Sequence, residues 1–162
     1  MPELPEVETI VYDLNRKLKN RIIKKVELLD KKILQSPLVK FKRKLLGKNI
    51  KEVKRRGKMI IFNLQDNFLV FHLKMTGQLI YQVKKDILIG GQQAEANKVL
   101  PNKYTRAIFK FNDNSQLFFN DVRRFGWVRL LNQADLEQIS KNLGVEPLSP
   151  EFSLEKFKKI LS

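Results

Sequence analysis

The sequence contains no cysteine. That removes disulfides, thiol nucleophiles and thiolate-held zinc in one stroke from these residues. It contains a single histidine, His72, so a structural metal site built on imidazole is not expected either. No run of eighteen apolar residues occurs, so no membrane-spanning helix is expected. The N-terminus is acidic and lacks the basic-then-apolar order of a secretory signal. These shortages favour a cytoplasmic protein that makes no use of the membrane.

What is abundant is positive charge. The 162 residues carry 32 lysines and arginines against 17 acidic side chains, a formal charge of +15. Such an excess points to a polyanionic partner, nucleic acid before an anionic membrane. The apolar fraction of 43% is enough for a real core.

Acidic residues and prolines are concentrated where they are least expected, in Met1-Pro2-Glu3-Leu4-Pro5-Glu6-Val7-Glu8. Two readings of this stretch stand side by side. In one, Pro5 and the carboxylates are ordinary helix-start signals. In the other, removal of Met1 leaves Pro2 as a terminal secondary amine. An α-amino group titrates near ~8 and is partly neutral at physiological pH. With Glu3 beside it to move protons, such an amine suits Schiff-base chemistry on a sugar aldehyde.

The periodicity predicts a helix over residues 5–20, with Val7, Ile10, Val11, Leu14 and Leu18 on one face. A strand follows over 22–29, then a short helix over 38–46 closed by Gly47. From Ile50 the period becomes two. Strands are predicted over 50–55, 59–64, 68–73, 78–83, 105–111, 116–119 and 127–131, with turns at Arg56-Gly57 and Gln65-Asp66-Asn67. Residues 84–104, including Gly90-Gly91-Gln92-Gln93, read as a long loop. A short helix over 134–141, a linker marked by Gly144, Pro147 and Pro150, and a helical tail complete the chain. The fold class is mainly β with flanking helices: an eight-stranded antiparallel sandwich packed by the N-terminal helix, with a short helical tail.

Four clusters carry candidate chemistry. Lys51, Lys54, Arg55, Arg56 and Lys58 are either a phosphate-tracking strand edge or a solvated basic face. Lys58 follows Gly57 at a turn, which would project its ammonium from a loop tip. In His72-Leu73-Lys74-Met75-Thr76-Gly77, Met75 is either a core methionine or an apolar wedge for a base step. His72 either fills the sheet or donates to a phosphate. In Asn120-Asp121-Val122-Arg123-Arg124-Phe125-Gly126-Trp127, arginines next to an aromatic suit base stacking around an extruded nucleotide; the alternative is a hairpin tip with scattered charge. Lys103-Tyr104-Thr105-Arg106 is weaker by itself.

Taken in order, these pieces resemble the formamidopyrimidine-DNA glycosylase family. The matches are Pro2-Glu3-Leu4-Pro5-Glu6-Val7-Glu8, Arg55-Arg56-Gly57-Lys58, His72-Leu73-Lys74-Met75-Thr76-Gly77, Arg123-Arg124-Phe125-Gly126 and Leu143-Gly144-Val145-Glu146-Pro147-Leu148. The resemblance implies base-excision repair by a bifunctional DNA glycosylase and abasic-site lyase acting on damaged double-stranded DNA. Leu4 resembles the branch that removes oxidised purines. By the same resemblance Pro2 is the nucleophile, Glu3 the acid–base group, and Lys58 a phosphate contact used in the elimination steps. His72 matches a phosphate-contacting histidine, and Met75, Arg123 and Phe125 match the trio that fills the duplex when the lesion flips out. Tyr104 stands where the family often has a DNA-contacting histidine.

The resemblance divides the chain into residues 1–132, a catalytic β-sandwich domain, and 133–162, a linker helix and the start of a helix–two-turns–helix domain. The family's zinc finger, held by four cysteines, has no counterpart here, so no cofactor is expected in this sequence. Two alternatives accompany the enzyme reading: a DNA-binding remnant with weak or no turnover, and one half of a split enzyme whose second half is a separate chain. The expected location is the cytoplasm, on the nucleoid.

Overall fold

The computed structural model describes residues 2–84, 86–90, 99–147 and 149–161. Helix α1 (Leu4–Leu18) buries Val7, Ile10, Val11, Leu14 and Leu18, the face read from the sequence. After β1 (Ile23–Leu28) and a single 3-10 turn (Lys31–Ile33) comes α2 (Leu38–Leu45), which buries Phe41 and Leu45. It ends just before Gly47, whose φ of +76° suits a residue without a Cβ.

The strands β2 (Glu52–Arg56), β3 (Met59–Asn63), β4 (Phe68–His72), β5 (Gly77–Val83), β6 (Asp86–Gly90), β7 (Thr105–Phe111), β8 (Gln116–Asp121) and β9 (Trp127–Leu131) form two antiparallel sheets. One is five-stranded, in the order β1-β7-β8-β5-β6; the other is four-stranded, β2-β3-β4-β9. Every strand expected from the sequence is present. The addition is β6, which extends β5 in a hairpin from Val83↔Asp86 to Leu79↔Gly90, within the stretch read as loop. The Gly91-Gln92-Gln93 part of that loop lies outside the described residues.

The main core lies between the sheets. Phe71 sits at its centre, edge-to-face with Phe62 at 5.4 Å and with Phe109 and Phe119 at 5.6 Å. Helix α1 packs along β2, an edge strand, and Asn15 accepts a hydrogen bond from the Val53 N–H at 2.8 Å. The edge is thereby covered by a helix. Helix α3 (Gln133–Lys141) lays Leu136 and Ile139 on the outer face of the four-stranded sheet, over Met59, Ile61, Val70 and Leu131. Helix α4 (Leu154–Leu161) buries no side chain. Among the described residues no helix is long and apolar enough to cross a membrane.

Register decides what meets at the sheet ends. Met59 pairs with His72, and His72 with Trp127. The Lys58 turn, the turn after His72 and the loop before Trp127 therefore emerge from one end of the four-stranded sheet. At about 5 Å per strand spacing, they span about 10 Å. In the other sheet Gly77 pairs with Asp121. The β4–β5 turn and the β8–β9 loop thus cross between the two sheets side by side.

Candidate active site and nucleic-acid interface

The N-terminal stretch starts a helix, as one of the two sequence readings expects, and its cap residue also meets a lysine. Glu3 is the N-cap of α1, and its backbone N–H donates to the Glu6 carboxylate at 2.5 Å. Pro2, immediately before the cap, is buried; Met1 lies outside the described residues. The Glu3 side chain is exposed, and its Oε2 accepts a hydrogen bond from Lys58 Nζ at 2.8 Å. That bond and the charge of Lys58 hold the Glu3 carboxyl below its ordinary value. Lys58 reaches Glu3 because Gly57, at φ +55°, turns the β2–β3 hairpin tightly.

The neighbouring arginines behave differently from the expectation of a basic stripe. Arg55 Nη1 donates to Glu146 Oε2 at 2.8 Å, and its Nε donates to Glu8 Oε2 at 2.5 Å. Arg56 Nη1 donates to Glu146 Oε1 at 3.1 Å. The Arg55 side chain is only 9% exposed. These two cations are committed to internal carboxylates, so neither the phosphate-tracking edge nor the solvated face describes them. Lys54, in contrast, is 67% exposed and pairs with Glu52 at 2.8 Å.

His72 stands at the end of β4, half-buried, with its ring 5.6 Å from that of Trp127. Its Nδ1 accepts the Lys74 N–H at 3.0 Å, so the proton of the neutral ring resides on Nε2. Burial, then the charges of Lys74 and Lys58, push its pKa down to about 4. At neutral pH it is an uncharged donor.

The turn after His72 and the loop after β8 bring three expected residues together. Arg123 Nη1 lies 3.1 Å from Met75 Sδ, and the Arg123 guanidinium sits 4.7 Å from the centre of the Phe125 ring. Met75 is 40% and Phe125 52% exposed, which excludes the core-methionine reading. Large apolar side chains left in solvent beside a cation mark a contact surface.

The device that joins the two loops went unrecognised at the sequence level. Asp121 is fully buried. Its Oδ1 accepts the Thr76 hydroxyl at 2.5 Å and the Arg123 N–H at 3.2 Å, and its Oδ2 accepts the Gly126 N–H at 2.7 Å. Gly126 is required there: a Cβ would lie 2.8 Å from Phe119 Cζ and 3.1 Å from the His72 carbonyl oxygen. Tyr104 is half-buried at the base of this loop. Its carbonyl accepts the Asp121 N–H at 2.9 Å, and Lys103 Nζ lies 5.1 Å from its ring centre. The available signal for Asp121 was a lone acid in a strongly basic segment. Among the described residues no group of three metal-ligating side chains occurs.

Comparison with known proteins bears on the sequence and the fold. The family profile described as formamidopyrimidine-DNA glycosylase N-terminal domain matches residues 1–128. A protein of Wolbachia pipientis subsp. Culex pipiens named formamidopyrimidine-DNA glycosylase is 42% identical, the match covering 99% of this chain and 55% of that protein. One of the same name from Pelotomaculum thermopropionicum is 39% identical over the same shares. The structure of Lactococcus lactis Fpg with DNA containing an abasic site superposes with a TM-score of 0.83 at 28% identity, covering 99% of this chain and 55% of that one. The chain thus spans about half the length of the curated relatives it matches.

Proposed function

The chain belongs to the formamidopyrimidine-DNA glycosylase family, and on that premise we propose that it carries the catalytic part of a base-excision repair enzyme, a DNA glycosylase and abasic-site lyase for oxidised purines. The observation that carries the reading is the Glu3–Lys58 pair at 2.8 Å, formed directly beside Pro2.

In this reading Pro2, freed of Met1, attacks C1′ of the damaged nucleotide. The bond to the base breaks, the base leaves with a proton, and the sugar ring opens to an iminium. Glu3, kept ionised by Lys58, acts as a relay: it passes a proton from the ammonium to the ring oxygen. The iminium draws electrons, so the C2′ proton is lost and the C3′–O bond breaks with departure of the phosphate. Water then hydrolyses the iminium and restores the amine. His72, as a neutral Nε2–H donor, would bind a phosphate oxygen.

Double-stranded DNA fits the remaining features. The formal charge of +15 supplies the electrostatic attraction. Met75, Arg123 and Phe125 form one projecting group able to occupy the gap left by a flipped nucleotide, whose extrusion costs a few kcal/mol. Leu154, Phe157, Ile160 and Leu161 of α4 are exposed, and we read them as a face for the second half of the family's length, in the same chain or a separate one. A bound polypeptide in a pull-down that is lost when these four residues are made polar tests the separate-chain form.

Borohydride trapping tests the central claim. Reduction of the iminium is expected to leave a covalent protein–DNA adduct on an abasic duplex. Absence of the adduct, or its persistence in a chain with a blocked N-terminus, rules the mechanism out.

A further inference from the structure

The Lys58 turn is held from outside its own hairpin. Glu146 lies in the connector between α3 and α4, far along the chain from Gly57. Yet its Oε1 accepts the Gly57 N–H at 2.6 Å and Arg56 Nη1 at 3.1 Å, while Oε2 accepts Arg55 Nη1 at 2.8 Å. Arg56 returns the connection: its Nη2 donates to the Gly144 carbonyl at 2.8 Å, and at longer range to those of Ser140 and Leu143. Arg55 extends it to α1 through Glu8, in the second turn of the helix that Glu3 caps. Leu143 also closes over the turn, since a Cβ on Gly57 would lie 3.1 Å from its Cδ1.

The Glu146 side chain is only 19% exposed, against 61% for Glu3. Burial opposes its charge, and the bonds from Gly57, Arg55 and Arg56 outweigh that cost, holding its carboxyl below the ordinary value. An exposed lysine–glutamate pair is too weak to fix a four-carbon side chain unaided. The backbone from which Lys58 projects must be set by other contacts: Glu146 accepts the Gly57 N–H at 2.6 Å, and Arg55, itself held by Glu146, donates to the Gly57 carbonyl at 3.1 Å.

We propose that Glu146 is a positioning residue for Lys58: its carboxylate fixes the Gly57 turn so that the Lys58 ammonium meets Glu3. The catalytic consequence rests on the lyase reading above; the positioning itself is measurable without turnover.

The test uses the whole 162-residue chain. In Glu146→Gln, side-chain NMR titration is expected to show the Glu3 pKa moving up toward its ordinary value as Lys58 withdraws. Loss of a negative charge alone would move Glu3 the other way, so the upward direction is diagnostic. Single-turnover elimination on an abasic duplex is expected to fall about tenfold or more, and Glu146→Gln added to Lys58→Gln to change it less than about twofold. Should Glu146→Gln not fold, Glu146→Asp carries the same titration, because it keeps the charge and shortens the reach. A Glu3 titration identical to the parent's in whichever variant folds overturns the proposal. Its failure is separable from failure of the enzymatic reading. A Glu146-dependent Glu3 titration in a chain that forms no trapped adduct upholds the positioning and removes the lyase; an adduct with a Glu146-independent titration does the reverse.

Discussion

Lys58 Nζ lies 2.8 Å from Glu3 Oε2, joining a hairpin tip to the cap of a helix that starts 55 residues earlier. Glu3 is exposed and Lys58 partly so, and a contact this open to solvent adds little to folding. Its effect is on protonation: it keeps Glu3 ionised and places an ammonium beside the Pro2 end of the chain.

Lys58→Gln is expected to return the Glu3 titration toward its ordinary value and to slow strand cleavage on the order of 100-fold, the usual scale for loss of a positioned acid–base group. Because the folded pKa of Glu3 is depressed, the pairing is complete above the unfolded value of 4.5 and disappears as pH falls through the folded one. Single-turnover cleavage from pH 4 to 8, with trapping run in parallel, separates loss of elimination from loss of iminium formation.

His72 is expected to stay neutral down to a pH of about 4. The unfolded chain takes up this proton near 6.5, so the histidine costs stability progressively as pH falls from 6.5 toward 4. His72→Gln should flatten that part of the curve. Urea midpoints at several pH values check the slope, and nitrogen-15 shifts of the ring check the Nε2–H form.

Met75→Ala and Phe125→Ala are expected to leave the folding stability within about 0.5 kcal/mol, since both side chains are exposed. Cleavage of an abasic site in duplex DNA should drop by about tenfold or more, while the same site in a single strand, which needs no gap filled, changes less than about twofold. Equal losses on both substrates would contradict the wedge assignment.

Asp121→Ala leaves the Gly126 N–H and the Thr76 hydroxyl without their acceptor, while the Arg123 N–H keeps Thr76 Oγ1 at 3.0 Å. A cost of about 2–4 kcal/mol is expected, from one or two orphaned buried donors. Thr76→Val removes the hydroxyl and its two bonds but leaves Asp121 to accept the Arg123 and Gly126 N–H groups, and should cost about 1 kcal/mol. Denaturant midpoints measure both, and the duplex-specific loss seen with Phe125→Ala should accompany Asp121→Ala.

Much of this fold is legible because its strands are short apolar runs bounded by turn signals; β3, β4, β5, β7 and β8 are buried along most of their length. The face of α1 is as clear, because Val7, Ile10, Val11, Leu14 and Leu18 recur at helical spacing. β6 is hidden because its turn at Lys84, with φ +53°, lacks the usual Asn-Gly signal that would end one strand and start the next. In β1 a bulge between Ile23 and Lys25 lets Lys24 and Lys25 both face solvent, which masks the period. The site shows a similar division. Residues that project, such as Lys58, Met75 and Phe125, stand out by type and by their place at turns. Asp121 and Glu146 do not, because their work is done through hydrogen bonds between segments far apart in sequence. Arg55 and Arg56 mislead for that reason: charge is visible in sequence, and its internal partner is not.

The trio of Met75, Arg123 and Phe125 is assembled before any DNA arrives, with Asp121 tying its two loops together. A probe built in advance spends no ordering entropy at the moment of insertion. It therefore meets every base pair at the same cost to itself. What varies from step to step is the resistance of the duplex, so for a DNA partner this domain would sense damage first as mechanical softness and only then as chemistry.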